Sequence, residues 1–97
     1  MAKGYWVARV DVTDPEQFKK YSAFVGPFVA ANGGRFLVRG GKQVVREGEA
    51  RARTVIVEFA SMDAAEAAYD SASYQDGIEL RRHAGIVDLV IVEGHGD

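Results

Sequence analysis

Four charged residues fall in otherwise apolar, strand-like runs, one to a run: Arg9, Arg39, Glu58 and Asp88. A charge in such a setting is costly unless it is paired. Paired with one another, within or between subunits, the four are structural. Turned into a cleft they form a clamp for a polar ligand, in which an arginine takes a carboxylate through two parallel hydrogen bonds. Which of them share a face depends on strand register, so both readings stand.

A second group lies further along the chain. Tyr69, Ser73, Tyr74 and Arg81 offer hydroxyl donors and a cation to a small anionic or phenolic ligand. The alternative is packing of amphipathic aromatics whose hydroxyls reach water. Arg39, Glu58, Tyr69, Tyr74 and Arg81 are therefore the ligand-binding candidates. Trp6, with Tyr5, is able to stack on a flat ligand, although a large aromatic on a central strand more often belongs to a core or a dimer interface. His83 and His95 are the only histidines; His95 lies in the tail, and no second nitrogen ligand or carboxylate cluster stands at metal spacing beside His83. No Ser–His–acid set and no pair of acid/base carboxylates emerges, so no catalytic residue is assigned. The glycine pairs Gly33-Gly34 and Gly40-Gly41 lack a phosphate-binding pattern and read as turns. No metal and no cofactor is expected.

The bulk properties narrow the classes. Ninety-seven residues, 47% hydrophobic and 27% charged, suit one soluble domain spanning 1–97 with its core at about 5–94. A net charge of -2 argues against nucleic acid as a partner. The chain has no cysteine, hence no disulfide and no thiolate. It has neither a signal-peptide pattern nor a run of membrane-spanning length, so a cytoplasmic location is expected.

The elements follow from pattern. Thr54–Ala60 is the most strand-like run, apolar on both alternations except for Glu58, and Ser61 caps an alanine-rich helix directly behind it. Tyr5–Val12 is the first strand. Asp14 caps the next helix and Pro15 suits its first position. Phe18, Tyr21, Val25, Phe28 and Val29 form that helix's apolar face. Pro27 predicts a kink or break, and Asn32-Gly33-Gly34 a stop. Arg35–Arg39 is the second strand. Lys42–Arg53 reads as a solvated loop of mixed charge, with Val44 and Val45 as a short extension or small hairpin. Ser73 is placed as the cap of a helix over about Tyr74 to His83, ended by Gly85. Asp88–Val92 is the last strand, and Glu93–Asp97 a tail expected to fray.

The resulting order, β-α-β-β-α-β, predicts an α+β, ferredoxin-like subunit: a four-stranded antiparallel sheet, helices on one side, first and third strands central. All four strands carry apolar groups on both alternations, so the uncovered face needs a second cover. The simplest is the same sheet from another copy, which predicts a homodimer.

Several short motifs, in order, resemble one family. They are Tyr5-Trp6, Asp14-Pro15, Gly33-Gly34-Arg35-Phe36-Leu37 with Arg39-Gly40-Gly41, Val57-Glu58-Phe59, Ala67-Ala68-Tyr69 with Ser73-Tyr74-Gln75, and the closing Leu89–Gly94. Together they resemble the domain of unknown function thirteen-thirty family, within the dimeric α/β-barrel superfamily, over roughly Tyr5 to Gly94. The resemblance implies a ferredoxin-like subunit that pairs sheet to sheet into a closed dimer. It implies no activity. The leading expectation is a homodimeric barrel that binds a small organic molecule bearing a carboxylate or phenol. The rivals are a cofactor-independent oxygenase or isomerase acting on a small aromatic or lactone-like substrate, and a purely structural or interaction module.

Overall fold

The computed structural model describes residues 2–96. In chain order the elements are β1 (Gly4–Val12), α1 (Pro15–Ala31), β2 (Arg35–Arg39), β3 (Arg53–Phe59), α2 (Met62–Asp70), α3 (Ala72–Ile78) and β4 (Gly85–Glu93). The strands form one antiparallel sheet in the order β2-β3-β1-β4, with β1 and β3 central, which is the ferredoxin-like arrangement.

Local chemistry starts each helix. The Asp14 side chain accepts from the Gln17 amide at 3.2 Å, and Ser61 Oγ from the Ala64 amide at 3.0 Å. Each satisfies one of the donors that a helix leaves free at its start. α1 runs on through Pro27 rather than breaking there, although proline gives up its bond to the Ala23 carbonyl. Two expectations about the last third of the chain are corrected. Ser71 caps α3, its Oγ accepting from the Tyr74 amide at 3.2 Å, while Ser73 lies inside that helix. Gly85 opens β4, three residues before Asp88, and does not end a helix, because α3 stops at Ile78 and a run of turns follows. No strand forms within Gly41–Ala52. The tail holds as far as Gly94, whose amide donates to the Lys3 carbonyl at 2.8 Å; Asp97 lies outside the described residues.

Strand alternation sorts side chains to two faces. Toward the helices β1 sends Trp6, Ala8 and Val10, all buried. Val57 and Phe59 join them from β3, and Leu89 and Ile91 from β4. Phe59, Val29 and Val57 are each at most 2% exposed, and burying a side chain of that size contributes about 2 kcal/mol. Trp6 Nε1 donates to the Ala65 carbonyl at 2.9 Å, so α2 is tied to the sheet by a buried polar bond as well as by packing.

The other face carries no helix. One register row across all four strands is wholly apolar: Val38, Ile56, Val7 and Val90. Val90 is 59% exposed, with Ile86 and Val92 close behind. Charges flank this row. On one side Arg35 meets Glu58 at 2.9 Å, and the Tyr5 hydroxyl donates to Glu58 at 3.4 Å. On the other, Arg9 stands opposite Asp88 in the ladder, and Arg51 bonds both Asp11 (2.9 Å) and Asp88 (2.7 Å). Through Arg51, and through Gln43 to the Arg51 carbonyl and Thr54, the Gly41–Ala52 loop is strapped to the sheet.

Candidate functional site

Between α1 and the helix side of the sheet lies a small, mainly apolar cleft of about 50 Å³. Its floor is three strands deep. Val10 and Val87, then Val55, Ala8 and Leu89, then Val57 and Trp6 occupy successive register rows, and Phe36 adds an edge from β2. Phe18, Tyr21, Ser22 and Val25 close it from α1, one face of a helix repeating at three and four residues.

Three arginines enter this apolar space: Arg39 from the end of β2, Arg53 from the start of β3, and Arg81 from the turns before β4. Among the described residues none of the three forms an ion pair; every salt bridge there uses other cations. The Nε atoms of Arg53 and Arg81 are buried and have no hydrogen-bond partner. Such groups carry a desolvation cost that a fitting acceptor would relieve. Arg53 has its place because of Gly40, which adopts φ +70° and whose missing Cβ would sit 2.6 Å from the guanidinium carbon. Arg81 lies over the Tyr21 ring, 5.2 Å from its centroid. The turn that carries it is pinned to α1: Ala84 accepts from the Thr13 and Asp14 amides, and Leu80 from the Gln17 side chain.

Behind Arg81 two phenols meet, the Tyr21 and Tyr74 hydroxyls lying 2.6 Å apart. Burial pushes the Tyr21 hydroxyl far above the ordinary phenol range; Tyr74 adds to this, and Arg81 opposes it without reversing it. Tyr21 is therefore a neutral phenol at any physiological pH. Burial lowers the Arg81 value, but Tyr74 and Tyr21 more than compensate, and its guanidinium stays charged. Among the described residues the cleft lining contains no carboxylate and no imidazole. It can hold an oxyanion against cations and a phenol; it supplies no conventional general base.

Of the residues singled out from sequence, Arg39 and Arg81 line the cleft, and Tyr74 stands behind it, fully buried, joined to it through Tyr21. Tyr69 packs on Trp6 and Tyr74, at 6.0 and 5.2 Å between ring centroids, and does not line the cleft. Glu58 lies on the opposite face of the sheet, where Arg35 holds its carboxyl below the usual carboxylate range. Arg9 and Asp88 share that face. Ser73 is exposed on α3, and His83 is exposed in the turns. Among the described residues no group of three His, Cys, Asp or Glu side chains could hold a metal ion.

Sequence reasoning missed Arg53 and Tyr21. Arg53 falls among the mixed charges of the loop when read locally, yet it alternates in step with Val55, Val57 and Phe59, which puts it on the buried side of β3. Tyr21 was read only as part of an apolar helix face, and its hydroxyl partner comes from 53 residues away.

Comparison with known proteins agrees with this geometry at the level of fold. The family model described as "Domain of unknown function (DUF1330)" matches residues 3–95. A protein of unknown function from Rhodopseudomonas palustris superposes with a TM-score of 0.78 at 16% identity, over 99% of this chain and 85% of that one. SnoaB, a cofactor-independent oxygenase from Streptomyces nogalater, gives 0.66 at 16% identity, over 100% and 97%. A dimeric ferredoxin-like protein of unknown function from Thermobifida fusca gives 0.61 at 14%, over 95% and 89%. No curated protein matches the chain in sequence. No helix among the described residues is long and apolar enough to cross a membrane.

Proposed function

We propose that this chain, which belongs to the DUF1330 family of unknown function, binds a small organic anion in the cleft beneath α1. The ligand class is a flat or unsaturated body carrying a carboxylate or phenolate. One observation carries the reading: three arginines without carboxylate partners, two of them with unsatisfied buried Nε–H groups, line a single apolar cavity. Paired guanidinium is the ordinary state in a protein interior, and an apolar wall raises the value of an arriving oxyanion. Tyr21 would donate to the same anion or to its ring substituent.

The protein would act as a homodimer, the apolar row Val38–Ile56–Val7–Val90 meeting its own copy about a two-fold axis. A matching sheet is self-complementary there, since each charged flank carries both signs. A cytoplasmic protein that binds a small molecule is the reading as a whole.

The test is thermal stabilisation by aromatic acids, with benzoate as the first probe. The expected result is a saturable rise in melting temperature that Arg53→Met and Arg81→Met abolish while both variants keep the parent fold by circular dichroism. Absence of any rise across benzoate, salicylate and cinnamate, or an undiminished rise in both variants, would refute it. Val90→Glu tests the assembly: sedimentation should shift from dimer to monomer.

The likeness to SnoaB favours one alternative, cofactor-independent oxygenation of a bound aromatic carbanion. The arginines would then stabilise an enolate oxygen. Because the described lining residues offer no carboxylate or imidazole to take the proton, such a substrate must ionise readily by itself.

A further inference from the structure

We propose that Arg39 is the gate of this cleft and the residue that makes it selective for an acid group; the selective part rests on the anion-binding reading above. The free space, about 50 Å³, is well short of the roughly 150 Å³ that accommodates a benzene ring. Something must move before an organic ring enters. Arg39 is the exposed member of the three arginines, while Arg53 and Arg81 are half-buried.

Its side chain bridges the two walls. From β2 it lies over the Phe36 ring, 4.2 Å from the centroid, and reaches α1, where Nη2 donates to the Ser22 carbonyl at 3.0 Å. Gly26 leaves room for this contact: a Cβ there would stand 3.3 Å from Nη1. Ser22 and Phe36 both line the cleft, so the bridge crosses its edge.

The hold is weak in a specific way. Ser22 sits in mid-helix, where its carbonyl already has a place in the α1 ladder, so Arg39 shares a neutral acceptor. A carboxylate offers two charged oxygens in the fork geometry that a guanidinium fits. An entering acid can thus exchange the Ser22 carbonyl for itself and draw Arg39 off α1. An isosteric neutral ligand has no such exchange to offer and leaves the bridge in place.

Trp6, the only tryptophan, lines the cleft and reports on it. The first measurement is acrylamide quenching of Trp6 without ligand, in the parent protein, Arg39→Met and Arg35→Met. Arg35 is on the same strand but bonds Glu58 on the other face, so its variant controls for general loosening of β2. Loss of the latch should raise the open population, and with it quenching, about fivefold in Arg39→Met alone. No rise, or an equal rise in Arg35→Met, overturns the gate. The second is titration with benzoate and benzamide, followed by Trp6 emission. The preference for acid over amide should fall about tenfold in Arg39→Met; an unchanged preference overturns the selective role. A rise in quenching together with no benzoate binding to the parent protein would sink the anion reading and the selectivity with it, leaving the gate supported.

Discussion

Replacing Tyr74 by phenylalanine removes one oxygen from a fully buried residue and leaves the Tyr21 hydroxyl, 2.6 Å away, without its partner. A neutral hydrogen bond contributes about 1 kcal/mol net, and stranding its buried partner costs about 1–3 kcal/mol. Because Arg81 lies over Tyr21 and favours its oxygen, the stranded group is partly compensated, and a loss of about 1.5 kcal/mol is expected for Tyr74→Phe. Tyr21→Phe should cost a similar amount. The two are one interaction, so the double variant should be less destabilised than the sum of the singles by about 1 kcal/mol. Urea unfolding of all four proteins at one fixed protein concentration gives the cycle, since any assembly makes apparent stability depend on concentration. In melting temperature each single change corresponds to a fall of roughly 6–12 °C for a chain of this size. Additive losses, or a Tyr74→Phe variant as stable as the parent, would refute the claim that the hydroxyls are coupled.

The same pair predicts alkaline behaviour. The Tyr21 value is raised on folding, so between the ordinary phenol value near 10 and its raised folded value the unfolded chain has lost a proton that the folded chain keeps. Its contribution to stability is complete below about pH 10 and declines as pH rises above that. Ultraviolet titration of tyrosinate should show a late phase that appears only on unfolding, and Tyr21→Phe should reduce its amplitude. Gly77 on α3 is a packing site: a Cβ there would overlap the Phe24 ring of α1. Gly77→Ala should lose about 1–3 kcal/mol, and Phe24→Leu in the same chain should restore part of it, both read by chemical denaturation.

The pattern of elements was legible because local chemistry and tertiary demand agree. Asp14-Pro15 and Ser61 satisfy helix starts wherever they occur, and the double-sided apolar strands β1 and β3 had to be central. Ser71 and Ser73 are different: both are adequate caps, and only the burial of Tyr74 against Trp6, Phe28 and Tyr21 decides between them. Glu58 and Arg39 were grouped as strand charges because their register is a property of strand pairs. Arg53 needed the same knowledge, since a loop charge and the first residue of a strand look alike until the strand's first pair is known. The cleft as a whole was beyond local reading for a simpler reason: its three cations come from the end of β2, the start of β3 and the turns before β4, which only the fold brings together.

Over the stretch where they pair, β2 has one residue more than β3. Phe36 pairs with Val57 and Val38 with Ile56, so Leu37 is the extra one. Counting by twos from Arg35, which faces away from the helices, would put Arg39 on that same outer side. The bulge inverts the count, and Arg39 pairs with Val55 on the inner side instead. A single added residue thus acts on β2 as a frame shift acts on a gene: what lies beyond it keeps its identity and changes its meaning. In any relative whose second strand lacks that residue, the arginine at this place in the chain would belong to the sheet face away from the helices and not to the cleft. Homologues should accordingly be divided by the length of β2 before their arginines are compared.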